Sequence, residues 1–268
     1  MGDYFIYNHS KLHYYTFGTG AHPLVAIHGF GQNGLMFSPV KNSLGKRFTI
    51  FSFDFAYHGK TEWNEKHALT KSEFIRLLEE FMRQHHFKKI SLLGFSMGGR
   101  VALSLIPDFA EKLEDVILIA PDGIEERIYY RSFMSGKTGE AAFRKILSYP
   151  KLLITAADAF TKLGLTKKYV ADYMRNYWAD ERKREKLFNV WLSMRTYLAN
   201  LDKIRFAAEK HSLRIFLLWG NHDKIIPAEL AHRFKKRVPR CKLLMVDGGH
   251  FIVNEKLNEV LDEMLKND

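Results

Sequence analysis

The most informative stretch of the sequence is Gly94-Phe95-Ser96-Met97-Gly98. It follows a short apolar run and precedes a helical pattern, so it predicts a sharp turn from a strand into a helix. Such a turn leaves no room for side chains two residues before and two residues after its centre, and both positions are glycine. The turn also places the Ser96 hydroxyl at a helix N-terminus, where backbone N–H groups and the helix dipole favour developing negative charge. Ser96 is therefore a candidate nucleophile.

A serine hydroxyl attacks a carbonyl efficiently only when a base takes its proton, and that base needs an acid to orient it. Among twelve histidines, His250 follows the last strand-like run and precedes the last helical pattern. Asp223 follows the preceding strand-like run. Both residues are expected at the carboxyl edge of a parallel sheet, the edge that also holds Ser96 and where open α/β sheets bind ligands. Asp122, which follows an earlier run, stays open as an alternative acid.

The elements that must position these residues alternate between strand-like and helical patterns. Four short apolar runs predict buried strands of a parallel sheet: Leu24–Ile27, Phe48–Phe53, Ile90–Leu93 and Val116–Ala120. Two further strand-like runs occur later, Ile215–Trp219 and Lys242–Val246. A capping box, Thr70-Lys71-Ser72-Glu73, opens a helix whose apolar face is Phe74, Leu77, Leu78, Phe81 and Met82. This alternation predicts an α/β fold with a mostly parallel, doubly wound sheet.

The alternation stops between residues 122 and 205, where no strand-like run appears. Helical segments occur there instead: Phe143–Leu147, Leu152–Phe160, Tyr169–Trp178 and Leu187–Leu198. A structureless loop of this length does not fit a compact domain. We therefore expect a helical cap over residues 122–205, inserted between two parts of the core, residues 1–121 and 206–268.

As a set, these motifs resemble the α/β-hydrolase fold family, of the type with a serine nucleophile and a helical cap. The matching positions come in the family's order: His28-Gly29-Phe30-Gly31, Asp54 with His58-Gly59, Gly94–Gly98, Gly220–Asp223 with Pro227, and Gly248–Phe251. The resemblance implies Ser96 as nucleophile, His250 as base and Asp223 as acid. It also implies an oxyanion hole formed by the backbone N–H groups of Phe30 and Met97. Relatives that open epoxides or remove halogens carry Asp at the nucleophile position, so Ser96 argues against both activities.

Arg100, four residues after the candidate nucleophile, has two interpretations. It is either a helix residue paired with a nearby carboxylate, or it faces the pocket and binds a substrate carboxylate. The second interpretation follows from a resemblance to the family's 2-succinyl-6-hydroxy-2,4-cyclohexadiene-1-carboxylate synthases, which have an arginine after these glycines. Such an enzyme needs further cap arginines, for which the sequence offers Arg127, Arg131, Arg144 and Arg195.

Composition restricts the remaining possibilities. The chain has 46% hydrophobic and 26% charged residues among its 268, as in ordinary globular proteins. A single cysteine excludes a disulfide framework and a cysteine-based zinc site. We expect no metal and no cofactor, because no His-x₃-His set with a carboxylate occurs. Without a basic and apolar leader or a long apolar run, the sequence predicts a cytoplasmic protein with no membrane span.

The formal net charge is +11, and the excess of basic residues is greatest between residues 122 and 205. No nucleic-acid-binding motif accompanies it, so we interpret it as a solvated surface and expect no nucleic-acid partner. The sequence thus predicts a carboxylic ester hydrolase acting on a small molecule, either anionic or with an apolar acyl group. The lyase type above and carbon–carbon bond hydrolysis are the alternatives, and the sequence leaves the oligomeric state open.

Overall fold

The computed structural model describes residues 2–125, 136–162, 172, 175 and 177–266. The chain divides into two compact units. The first combines residues 1–125 with residues 197–268, and the second consists of residues 126–196. The predicted cap range, 122–205, starts before and ends after the second unit. That the second unit acts as a cap stays a prediction.

The first unit is built on an eight-stranded sheet. Its strands are β1 (Gly2–Tyr7), β2 (Ser10–Phe17), β3 (His22–Ile27), β4 (Phe48–Phe53), β5 (Ile90–Phe95), β6 (Leu113–Ile119), β7 (Arg214–Gly220) and β8 (Lys242–Val246). Their order in the sheet is β1-β2-β4-β3-β5-β6-β7-β8. Strand β2 is antiparallel to both of its neighbours, and all other pairs from β4 to β8 are parallel. The predicted mostly parallel α/β sheet is confirmed.

The central strands are buried on both faces. Every residue of β5 is buried, as are Leu24–Ile27 of β3 and the last five residues of β6. A parallel strand covered on both faces needs apolar side chains at consecutive positions, which is why these segments are continuous apolar runs in the sequence. Because the strands are parallel, their carboxyl ends lie at one edge of the sheet, and so do the loops that follow them.

Among the described residues, nine α-helices lie between and after the strands. They are α1 (Lys41–Arg47), α2 (Lys71–Gln84), α3 (Met97–Phe109), α4 (Gly136–Leu147), α5 (Pro150–Lys162), α6 (Glu181–Met194), α7 (Leu201–Lys210), α8 (Glu229–Arg237) and α9 (Leu257–Lys266). The predicted helix α2 is confirmed. Thr70 Oγ1 accepts a hydrogen bond from the Glu73 N–H at its start, and the apolar face is buried. The other half of the predicted capping box is not formed among the described residues, because the Glu73 carboxylate accepts a bond from His67 Nε2 at 2.9 Å.

Helices α4, α5 and α6 belong to the second unit. The ring centroids of Phe143 and Trp191 lie 4.6 Å apart, and Phe188 packs about 6 Å from both rings (6.0 and 6.1 Å). These rings form a small aromatic core of this unit. The predicted helical segment Tyr169–Trp178 lies largely outside the described residues. No helix in the described part of the chain is long and apolar enough to cross a bilayer.

Candidate active site

Ser96 occupies the turn between β5 and α3. Its backbone has φ 51° and ψ −113°, a conformation that costs a non-glycine residue about 1–3 kcal/mol. Backbone hydrogen bonds hold the turn in place: the Ser96 N–H donates to Ile119 O at 3.0 Å, and Ser96 O accepts from Arg100 N and Asp122 N, each at 3.0 Å. The strained serine is thus fixed by β6, by the loop that follows β6 and by its own helix.

The glycines around Ser96 are required by close backbone approach. A Cβ atom at Gly98 would overlap the carbonyl oxygen of Ile27, and one at Gly94 would overlap the carbonyl oxygen of Gly98. A Cβ atom at Gly99 would lie 2.5 Å from the Cβ atom of Pro121. The predicted steric reason for Gly94 and Gly98 therefore holds, and Gly99 fits against the residue that follows β6.

His250 reaches Ser96 from the loop after β8. Its Nε2 lies 3.0 Å from Ser96 Oγ, and its Nδ1 lies 2.7 Å from Asp223 Oδ2. The imidazole is buried, with its centroid 5.0 Å from that of the Phe95 ring. A proton on Nδ1 is donated to the carboxylate, which leaves the Nε2 lone pair to accept the serine proton.

Asp223 lies in the loop after β7 and is oriented by that loop. Its Oδ1 accepts the N–H groups of Ile225 at 2.8 Å and Ile226 at 2.9 Å, so its Oδ2 is turned toward His250. Trp219 at the end of β7 donates its indole N–H to Ile226 O at 3.1 Å and anchors the loop. The sequence analysis missed these donors, although an aspartate that accepts N–H groups two and three residues later is a known turn signal.

The alternative acid, Asp122, has other partners. Its Oδ2 accepts the Nε–H of Arg100 at 3.0 Å, and its Oδ1 accepts the N–H of Gly123 at 2.7 Å. The Asp122 side chain is about half exposed, whereas Arg100 is buried. The structure thus brings Asp223, and not Asp122, into contact with His250. It also shows Arg100 paired with a carboxylate, one turn of α3 beyond Ser96.

The loop after β3 carries Phe30, one of the two predicted oxyanion-hole residues. The loop turns at Gly31, whose φ is +76°, and the Gly31 N–H donates to His58 Nε2 at 3.1 Å. His28 donates its Nδ1–H to Gly29 O at 2.7 Å and accepts the Phe55 N–H at Nε2. His28 and His58 thus hold loops through hydrogen bonds to backbone groups.

Met97, the other predicted oxyanion-hole residue, is the first residue of α3. Its N–H is therefore one of the first N–H groups of the helix, which have no carbonyl partner within the helix.

Of the arginines considered for an anionic substrate, Arg127 and Arg131 lie outside the described residues. The Arg144 guanidinium stacks 4.2 Å from the Phe188 ring centroid, and Arg195 bonds Glu140 at 3.2 Å, both within the second unit. Among the residues that the structure describes, no three or more His, Cys, Asp and Glu side chains form a metal-binding cluster. Burial raises the pKa of the Cys241 thiol to about 11, so it is not a thiolate nucleophile.

The arrangement matches that of a known family along most of the chain. The family model for the alpha/beta hydrolase fold matches residues 22–257. The chain belongs to the α/β-hydrolase fold family. A Mycoplasma pneumoniae relative, whose name suggests an esterase/lipase, is 33% identical over 101 residues, which are 37% of this chain and 38% of the relative.

A second relative is the dihydrolipoyllysine-residue acetyltransferase component of the acetoin cleaving system of Cupriavidus necator. It is 24% identical over 93% of this chain and 64% of its own length. The chain therefore spans less than two thirds of the length of both relatives.

Solved structures of this α/β-hydrolase fold superpose over nearly the whole chain. A thermophilic esterase from Thermogutta terrifontis has a TM-score of 0.70 at 18% identity, covering 96% of this chain and 94% of the esterase. A structure from a study of carboxylesterases of Nitrososphaera gargenis has a TM-score of 0.67 at 19% identity, covering 99% and 97%. At these levels of sequence identity, the similarity shows a shared fold.

Proposed function

We propose that this α/β-hydrolase cleaves carboxylic esters through an acyl-enzyme on Ser96. One observation carries the proposal: Ser96 Oγ, the His250 ring and the Asp223 carboxylate form a continuous chain of hydrogen bonds, with distances of 3.0 and 2.7 Å. A serine, a base in contact with it and an acid that orients the base are the three parts that this reaction requires. The esterase/lipase name of one relative supports the same class of substrate.

In the proposed mechanism, His250 Nε2 takes the Ser96 proton as Oγ attacks the ester carbonyl carbon. The tetrahedral intermediate collapses when the imidazolium gives that proton to the departing alcohol, which leaves the acyl group on Oγ. A water molecule then attacks the acyl carbon while His250 takes one of its protons. Return of this proton to Oγ releases the carboxylic acid and restores the enzyme.

The proposed oxyanion hole consists of the backbone N–H groups of Met97 and Phe30. Met97 N–H begins α3, so the helix dipole adds to its hydrogen bond with a developing oxyanion. Phe30 belongs to the loop after β3, and β3 pairs directly with β5, which leads to Ser96. Both groups are backbone atoms at the carboxyl edge of adjacent strands.

The specificity of the enzyme is proposed to come from the helical cap predicted over residues 122–205. A small molecule with an apolar acyl or alcohol group is the proposed substrate, and the cytoplasm is the proposed location. Among the aromatic residues of the predicted cap, Phe143 and Trp191 pack against each other, Phe160 is exposed, and Phe133 lies outside the described residues.

A lyase acting on an anionic substrate is the second candidate function, and the position of Arg100 favours it. Arg100 is buried one helical turn from Ser96, and its backbone N–H donates to Ser96 O. In this alternative, Arg100 binds a substrate carboxylate and His250 abstracts a proton from carbon. Carbon–carbon bond hydrolysis would use the same three residues.

An assay with p-nitrophenyl esters of short and medium chain length tests the proposal. The wild type should turn over the short esters, and Ser96→Ala should reduce kcat by up to about 10⁶-fold. A fluorophosphonate should label Ser96 alone, as shown by peptide mass spectrometry. Unfolding curves of the two proteins should coincide, because the change removes one hydroxyl. Labelling elsewhere, or a few per cent of activity left in Ser96→Ala, contradicts the proposal.

A further inference from the structure

Three large apolar side chains are exposed at the corner between α4 and α5. Ile146 is 41% exposed, Tyr149 54% and Leu152 68%. They lie within seven residues, around the two-residue connection Ser148-Tyr149. Single exposed apolar residues are common, but a group of them at one corner marks an interaction surface. We refer to residues 144–152 as the α4–α5 corner.

The corner is held by its own backbone. The Ser148 N–H donates to Arg144 O at 3.1 Å, Tyr149 N–H to Ile146 O at 3.1 Å, and Leu153 N–H to Tyr149 O at 3.2 Å. Ser148 and Tyr149 are the two residues between the helices, and these bonds connect them to the end of α4 and the start of α5. The exposed side chains therefore stand on an ordered support, and binding would not have to order the backbone first.

The same corner is positively charged. Arg144, Lys145 and Lys151 lie in it, and the sequence has no acidic residue between Glu140 and Asp158. Two carboxylates of α6, Glu181 and Glu185, line a cavity with Arg144 and offset part of this charge, but they leave the two lysines unpaired in the part of the chain that the structure describes. Both lysines are exposed, and neither forms an ion pair with any described residue. The partner that suits this corner must therefore accept apolar side chains and carry negative charge.

We propose that the α4–α5 corner docks on the surface of a membrane that contains anionic phospholipids. Ile146 and Leu152 would enter the boundary between headgroups and acyl chains, where an amphipathic Tyr149 side chain also fits. The two lysines would contact lipid phosphates. A second copy of the chain suits the corner less well, because a symmetric contact would bring the lysines against their equivalents.

This inference goes beyond ester hydrolysis and does not depend on Ser96. Docking would be peripheral, since no described helix can span a bilayer. It would hold the enzyme at the place where apolar esters partition. The three apolar residues and the two lysines of the corner have no part in the proposed chemistry.

Vesicle cosedimentation of the full-length chain tests the proposal. The lipids are phosphatidylcholine alone and phosphatidylcholine mixed with phosphatidylglycerol, each at low and high salt. The wild type should bind the mixed vesicles, and high salt should weaken this binding. Lys145→Gln/Lys151→Gln should bind roughly 25-fold more weakly, about fivefold for each lysine. Tyr149→Ser/Leu152→Ser should bind at least about tenfold more weakly.

Matched controls use exposed residues of the first unit. Lys88→Gln/Lys89→Gln removes the same charge, and Phe206→Ser removes an equally exposed apolar side chain. Both should bind like the wild type, and all variants should keep their unfolding temperature and their hydrolysis of a water-soluble ester. The proposal is overturned if the wild type binds neither vesicle, or if the controls lose as much binding as the corner variants. It is also overturned if sedimentation shows a dimer that Tyr149→Ser/Leu152→Ser dissociates.

Discussion

Two buried histidine–aspartate pairs in the described part of the chain are nearly alike. His250 Nδ1 lies 2.7 Å from Asp223 Oδ2, and His13 Nδ1 lies 2.9 Å from Asp54 Oδ2. All four side chains are buried. In each pair, the aspartate also accepts two backbone N–H groups from nearby loops: Ile225 and Ile226 for Asp223, Gly34 and Lys60 for Asp54.

The pairs differ in what the second ring nitrogen meets. His250 Nε2 faces the Ser96 hydroxyl at 3.0 Å. The His13 ring packs between the rings of Tyr4 and Tyr15, with centroids 5.0 and 4.5 Å away, and its Nε2 abuts Gly2 so closely that a Cβ atom there would overlap it. A histidine–aspartate pair is thus not a sign of catalysis by itself. In the proposed mechanism the His250 pair moves a proton because its third partner is Ser96, whereas the His13 pair connects β2 to the loop after β4.

The largest expected difference between the pairs is in catalysis. His250→Leu removes the base from Ser96 and should lower kcat for ester hydrolysis by about 10⁶-fold. His13→Leu should leave kcat close to that of the wild type at a temperature where the variant is folded. Steady-state kinetics on a short ester measure kcat for both variants. If His13→Leu is as inactive as His250→Leu while still folded, the distinction between the two pairs fails.

The two candidate acids, Asp223 and Asp122, should differ in their effect on kcat, by a smaller factor than the two histidines. Asp223→Asn keeps the size of the side chain but stabilises the wrong histidine tautomer, at a cost of about 10⁴-fold in kcat. Asp122→Asn should have little effect, because its carboxylate contacts Arg100. Measuring kcat for both variants on one ester decides the matter. A larger loss in Asp122→Asn would mean that the acid is misassigned.

Arg100 lies between these two cases, because it is buried one helical turn from Ser96 but is paired with the half-exposed carboxylate of Asp122. If the guanidinium also binds a substrate carboxylate, Arg100→Met should lower kcat/KM for acidic esters by roughly 10–150-fold, the equivalent of about 1.5–3 kcal/mol. Neutral esters should then be nearly unaffected. The measurement compares a hemisuccinate ester with its neutral analogue. Equal losses on both would show that Arg100 is structural, like His13.

The smallest expected effect is on stability. His13→Leu leaves the buried Asp54 carboxylate without one of its donors, which should lower the free energy of unfolding by about 1–3 kcal/mol. His250→Leu removes the same kind of donor from the buried Asp223 carboxylate, so we expect a loss of similar size. Urea unfolding curves of both variants give the comparison. An unchanged midpoint for His13→Leu would mean that the pair does not fasten the hairpin.

Six of the eight strands could be predicted from the sequence, because buried parallel strands leave continuous apolar runs. Strands β1 and β2 were missed. In β1 only Phe5 is buried, and β2 mixes buried and exposed positions, so neither forms such a run. They pair antiparallel at the edge of the sheet, where one face meets solvent and the periodic signal is weaker.

What the sequence determined by itself is local. The glycines around Ser96 predict the strained turn, and the apolar runs predict which loops share an edge with it, because short-range sterics and side-chain periodicity act within a few residues. The pairing of charged groups was decided only by the tertiary structure. His13 meets Asp54 across 41 residues, and Asp122 turns to Arg100 and not to His250. Such contacts depend on how elements remote in the chain approach and rotate against each other, which no local pattern encodes.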